Sequence, residues 1–286
     1  MKLIRYTHGA RTFIGVADDG YAVDLATLLP EAPRSLKDVL ADSANLYPRI
    51  RTSLAKATAR VPLREVRLEA PLPDAQKYLA IGMNYEDHAN EARRAGVTVP
   101  KNQLWFNKQV SCIVGPYDDV QRPRASEQVD YEAELGVVIG QRCRHVSAAD
   151  APKVVGGYFV ANDVSARDWQ MASPTYTLGK SFDTHGPTGP WVVTPDEVPD
   201  PHDLEMRLTV NGELRQKQNT GTMIHNIWQQ IAHLSTVMTL MPGDLIATGT
   251  CAGVGIALGK FLQPGDVVRV EIDRIGHIEN RIVPEP

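Results

Sequence analysis

The sequence predicts an α+β fold, mostly β, with a small N-terminal α/β accessory domain over residues 1–70 and a larger domain over 71–286. Three observations carry this. After Lys77, short β-branched or apolar runs bounded by Gly, Pro or Asp outnumber the helical segments. They do not alternate regularly with helices, as a doubly wound parallel sheet requires. The first 70 residues follow a different pattern, and Pro71-Leu72-Pro73 punctuates their end.

Lys2 to Tyr6, Arg11 to Val16 and Tyr21 to Asp24 read as short strands separated by Gly or Asp-Gly turns. A helical stretch follows from Ser35 to Ala59, then an alternating tail from Val61 to Leu72. Beyond the boundary, strands are expected at Tyr78 to Met83, Tyr131 to Ile139, Gly156 to Val164 and Pro190 to Thr194. Others are expected at Glu205 to Asn211, Leu245 to Thr248 and Val267 to Ile272. Leu240-Met241-Pro242-Gly243-Asp244 and Leu262-Gln263-Pro264-Gly265-Asp266 are related turns, each feeding a strand. Ile224, Ile227, Trp228, Ile231, Leu234 and Met238, spaced three or four apart, define one amphipathic helix.

At 286 residues, with 43% hydrophobic and 22% charged side chains, the chain can bury a full core. Thirty Lys and Arg against 34 Asp and Glu give a net charge of −4 without any block of like charge. That excludes the basic patch of a nucleic-acid or anionic-membrane binder. No run reaches the ~20 apolar residues of a membrane span, and the N-terminus lacks a signal-peptide apolar stretch. Cys112, Cys143 and Cys251 are odd in number and widely spaced, so a reducing cytoplasm is the expected setting.

Several common motifs fail. Gly179-Lys180-Ser181 resembles the end of a phosphate-binding loop, but Pro174 stands where that motif needs Gly. Gly253-Val254-Gly255 has no third Gly at dinucleotide spacing. Neither a G-x-S-x-G elbow nor an H-E-x-x-H pair occurs.

Five segments survive. In Asp130-Tyr131-Glu132-Ala133-Glu134-Leu135-Gly136, strand periodicity puts Glu132 and Glu134 on one face. Near a core they would protonate, pair with cations or bind a metal; at a solvent edge they would be an ordinary sheet face. Gly156 to Asp168 contains another apolar strand ending Asn162-Asp163, with Arg167-Asp168 beyond. Asp163 either caps a turn or makes a third carboxylate, whose combined charge would call for Mg²⁺ or Mn²⁺. In Ile81 to Glu91, a strand runs into a polar loop that starts a helix with His88 and Glu91 on one face: a surface pair, or an imidazole oriented by a carboxylate to activate water. Lys180, before a Gly/Pro-rich loop, is either solvated or the partner of an anionic substrate. Ala247 to Gly255 is a tight corner or a loop whose backbone approaches a ligand. The other histidines lack ligand spacing.

Taken in order, these pieces resemble the fumarylacetoacetate hydrolase family, over Lys77 to Val283. The Y-E-x-E-L strand, N-D-x-x-x-R-D strand end, G-K-S-F-D loop and G-T-x-x-G-V-G turn stand in the family's order. The resemblance implies a mixed β-sandwich roll of the family's own type for a catalytic domain, preceded by a variable N-terminal domain, assembled as a homodimer. It implies Mg²⁺ or Mn²⁺ and a small-molecule 2-oxo or 2,4-dioxo acid substrate, with no nucleic-acid or membrane partner. By position, Glu132, Glu134 and Asp163 match the metal ligands, His88 and Glu91 the catalytic pair, and Lys180 the lysine near the enolate oxygen. Arg167, Gln170 and Thr250 fall where relatives hold substrate. The fuller hydrolases carry a fourth acidic ligand upstream of the histidine, and Ile81 to Asn84 supplies none. Compact acylpyruvase-like and isomerase-like members share that departure. The activity implied is hydrolysis of the C–C bond of an acylpyruvate such as fumarylpyruvate in aromatic catabolism, with decarboxylation or enol–keto isomerisation as the alternative.

Overall fold

A computed structural model describes residues 1–286, and strands dominate it. At the centre of a twelve-stranded sheet, Ala133–Ile139 pairs antiparallel with Val155–Asn162 on one side and with Leu245–Ala247 on the other. Next to Leu245–Ala247 comes Tyr78–Gly82, in parallel, and then Leu104–Lys108 at the sheet edge. Beyond Val155–Asn162 lies Gly186–Val193. A five-stranded sheet of Glu213–Asn219, Glu205–Val210, Val267–Ile272, Gly276–Pro284 and Val120–Arg122 supplies the second layer.

The unbroken apolar runs follow from burial on both faces. Leu135, Val137, Ile139, Tyr158 and Val160 pack against Met206, Leu208, Val268 and Val270 of the second sheet. Their in-between neighbours Val138, Phe159 and Ala161 point the other way. There they join Leu3, Val16, Val39, Leu40 and Ile50, so the N-terminal segment covers the opposite face of the central strands. It also extends the sheet, with Lys2 and Leu3 in register with Val193 and Val192.

The expected helix between Ser35 and Ala59 is two helices, Leu36–Ala41 and Ser43–Leu54, the first capped by the Ser35 side chain. The amphipathic helix is shorter than the apolar spacing suggested, running Ile227–Val237. Asn226 and Gln229 form a reciprocal capping box that starts it, leaving Ile224 outside. No helix is long and apolar enough to cross a membrane.

The turn after Tyr78–Gly82 is pinned by one buried side chain. Asn84 donates to the carbonyls of His225 (3.0 Å) and Thr248 (2.7 Å) and accepts from the His225 amide (2.8 Å). This fixes the loop that launches helix Glu86–Arg94 against the Thr248 strand end. Asn84→Ala removes all three bonds and leaves the buried Thr248 carbonyl and the His225 amide without a partner, while Gln230 still donates to the His225 carbonyl; denaturant unfolding should show a loss of about 2–3 kcal/mol. A loss below about 1 kcal/mol would contradict this role.

Candidate functional site

Glu132, Glu134 and Asp163 converge where two neighbouring strands meet. Ala133 is in register with Asn162, so the residues flanking that pair are adjacent in space. Two local bonds lock the junction: the Glu132 amide donates to Asn162 Oδ1 (3.0 Å), and the Asp163 amide donates to the Glu132 carbonyl (2.9 Å). One oxygen from each of the three carboxylates lies within 4.8 Å of the others, and all three side chains are buried.

Such a cluster cannot stand uncompensated. Lys180 Nζ donates to Glu132 Oε2 (2.5 Å) and Asp163 Oδ2 (2.7 Å). Arg167 Nη2 donates to Glu132 Oε1 (2.8 Å), its Nε to Asp130 Oδ2 (2.8 Å) and its Nη1 to Gln170 Oε1 (2.8 Å). The two glutamates are thereby driven apart. Burial opposes ionisation of Glu132, but Lys180 and Arg167 outweigh it and hold the carboxyl down at about 2. Glu134 touches no cation; burial first, then repulsion from Asp163 and Glu132, pushes its carboxyl well above the usual range. Burial works against the charge on Lys180 as well, yet Asp163 and Glu132 raise it above a free lysine.

His88 and Glu91 share the inner face of helix Glu86–Arg94, and His88 Nδ1 lies 3.1 Å from Glu91 Oε2. A proton on Nδ1, facing the carboxylate, leaves Nε2 free as a base. The glycine-rich turn holds the acids rather than merely turning a corner. Amides of Gly249, Gly253 and Gly255 donate to Glu134 Oε2 (2.7 Å), Glu91 Oε1 (3.2 Å) and Asp130 Oδ1 (2.6 Å). Gly249 has φ +102°, and a Cβ there would sit 2.7 Å from Asn84 Cβ, so glycine is required.

All nine residues singled out from the sequence meet here. His88, Glu91, Glu132, Glu134, Arg167, Gln170, Lys180 and Thr250 line one cavity of about 170 Å³, and Asp163 stands buried behind them. Three further residues were not foreseen. Lys108, fully buried, donates to Asp163 Oδ1 (2.6 Å) and to the carbonyls of Lys180 (2.5 Å) and Val164 (3.3 Å). Asp130 ties Arg167 to the glycine-rich turn. Gln216 bridges the Ala133 amide (2.9 Å) to Thr250 Oγ1 (2.9 Å). Lys108 ends an edge strand not recognised from sequence, and Gln216 comes from the second sheet, so neither carried a local signal.

The donor set fits a hard divalent cation. Three carboxylates supply oxygen ligands and no sulfur or imidazole enters the cluster; Lys108, Lys180 and Arg167 compensate Asp163 and Glu132, while Glu134 pairs with no cation.

Fold and site together define the class. The family model described as fumarylacetoacetate (FAA) hydrolase C-terminal matches residues 77–283. The chain belongs to that family. It is 41% identical to the mitochondrial oxaloacetate tautomerase FAHD2B of Bos taurus, over 99% of this chain and 92% of that one. Among solved structures it resembles maleylpyruvate hydrolase from Sphingobium sp. SYK-6, in complex with manganese (II) and pyruvate: 35% identity, all of both chains, TM-score 0.85. It also resembles 2-hydroxyhepta-2,4-diene-1,7-dioate isomerase from Mycobacterium marinum: 34% identity, 100% of this chain and 99% of that one, TM-score 0.79.

Because the raised Glu134 carboxyl must lose its proton to serve as a ligand, metal uptake should release a proton and tighten as pH rises. Calorimetric Mn²⁺ titrations in buffers of different ionisation enthalpy measure this directly. Buffer-independent heats and a pH-independent Kd would contradict it.

Proposed function

We propose that the chain is a divalent-metal-dependent hydrolase that cleaves the C–C bond of a 2,4-dioxo acid, an acylpyruvate, to pyruvate and a second acid. The observation that carries the reading is the His88–Glu91 pair facing the same cavity as the three-carboxylate cluster. Glu132, Glu134 and Asp163 would hold Mg²⁺ or Mn²⁺, which supplies Lewis-acid polarisation of a chelated 2-oxo acid.

The chain's own groups account for the proton movements. Glu91 fixes the His88 ring by accepting from Nδ1, and the Gly253 amide holds Glu91 in turn. Nε2 takes a proton from water as its oxygen adds to the C4 carbonyl of the substrate. The C3–C4 bond then breaks, its electron pair passing to the enolate of pyruvate, and the proton on His88 returns to C3. Lys180 donates to the enolate oxygen as charge develops there, a contribution worth ~3 kcal/mol in comparable sites. Arg167, Gln170 and Thr250 border the space for the substrate. Water adds across the broken bond, so the products are pyruvate and the free acid.

A second reading, enol–keto tautomerisation of oxaloacetate, is favoured by the likeness to FAHD2B. It uses His88 to move a proton at C3 without attack by water. Product analysis separates the two. With Mg²⁺, acetylpyruvate should yield pyruvate and acetate, and EDTA should abolish this. His88→Ala should lower kcat by roughly 10²–10⁴-fold. Absence of pyruvate, with rapid equilibration of enol and keto oxaloacetate, would replace hydrolysis by tautomerisation.

A further inference from the structure

We infer that the cavity beyond the acidic cluster selects a 2-oxo acid with a short, uncharged tail and discriminates against a second carboxylate at that end. This rests on the reading that the cluster takes the 2-oxo-acid head, and narrows it to a substrate class.

The wall changes character along one helix. His88, Glu91, Ala92 and Ala95 all line the cavity, the spacing of a single helical face. At 1.5 Å per residue, Ala95 lies about 10 Å along the axis from His88. The lining thus passes from an imidazole and a carboxylate to bare methyl groups, and Val97 continues it. Met83, Leu104, Phe106 and Met171 add further apolar wall.

The cations of the cavity sit at its acidic end. Arg167 uses Nε, Nη1 and Nη2 on Asp130, Gln170 and Glu132, and Lys180 stands on Glu132 and Asp163, where the 2-oxo-acid head and not the tail would meet it. Arg93, on the same helix as His88, pairs with Glu86 and Asn90 on the exposed side and does not line the cavity. A tail carboxylate against this wall would lose its hydration without gaining a cation. An uncharged acyl group would remove apolar surface from water on both sides. Size sets the second limit: an enclosed apolar cavity of about 150 Å³ holds a benzene ring, so of about 170 Å³ shared with the head only a short tail lies wholly against the wall, and a longer one must run out through the mouth. Among acylpyruvates, acetylpyruvate should therefore outrank fumarylpyruvate.

Two cations just outside the cavity make no ion pair: Arg94, beside Ala95 at the helix end, and Lys101, which borders an adjoining hollow that shares Gly82, Met83 and Leu104 with the cavity. They are the groups through which a dicarboxylate would have to be accommodated.

The test is a binding comparison on the Mn²⁺-loaded protein, independent of turnover. By calorimetry, 5-methyl-2-oxohexanoate and 2-oxoglutarate are compared: equal chain length, isopropyl against carboxylate. The neutral ligand should bind about tenfold more tightly or better. Val97→Arg, which places a cation on the apolar wall, should narrow that gap at least about threefold by improving 2-oxoglutarate. Equal or tighter binding of 2-oxoglutarate by the unaltered protein would overturn the inference while leaving the head-group reading intact. Loss of that binding in Arg94→Gln or in Lys101→Gln would then identify the cation responsible. Binding of neither ligand would overturn the head-group reading, and the inference with it.

Discussion

Three buried carboxylates brought within 4.8 Å of one another set the terms for the rest of this structure. Desolvation and mutual repulsion both oppose their ionisation, and the fold spends buried cations and oriented amides to offset them. Lys108 and Lys180 divide the two oxygens of Asp163 between them. Arg167 bridges Glu132 and Asp130, and three glycine amides of one turn each hold a different acid. Glu134 is left with the weakest compensation, a single amide, and its proton affinity rises accordingly.

The surrounding architecture follows from that demand. A strand pair buried on both faces gives the acids fixed positions, because neither strand can shift without exposing two cores. Lys108 arrives from the sheet edge, Gln216 from the second sheet, and His88 from a helix whose start Asn84 pins to the central strands. The helix bearing His88 is held at its first turn and by Glu91, while its far end is exposed. On the proposed function, chemistry would stay fixed at one end of the cavity and tail selection would fall to the apolar end. Such a division suits a family whose relatives are named for hydrolysis, isomerisation and tautomerisation.

Much of this was legible in the chain itself. Glu132 and Glu134 could be placed on one face because strand periodicity is local, and the same holds for His88 and Glu91 on a helix. What was not legible depends on contacts between distant segments. Lys108 closes a strand whose Leu104-Trp105-Phe106-Asn107 run carries no clean alternation, and its role appears only when Asp163 arrives 55 residues later. The helix start at Ile227 instead of Ile224 was set by a polar cap, to which apolar spacing is blind. Continuity of the first 70 residues with the central sheet rests on two backbone pairs, Lys2 with Val193 and Leu3 with Val192, that leave no trace in composition.

The most direct test of the central claim is anomalous diffraction from crystals of the full chain soaked in Mn²⁺. The expected result is a single strong peak about 2.1 Å from one oxygen each of Glu132, Glu134 and Asp163. The Lys180 ammonium should then be drawn off the carboxylates, while Lys108 keeps its bond to Asp163. A peak elsewhere, or none while Lys180 still bridges Glu132 and Asp163, would contradict the account: the buried acids would then be a self-neutralised structural cluster.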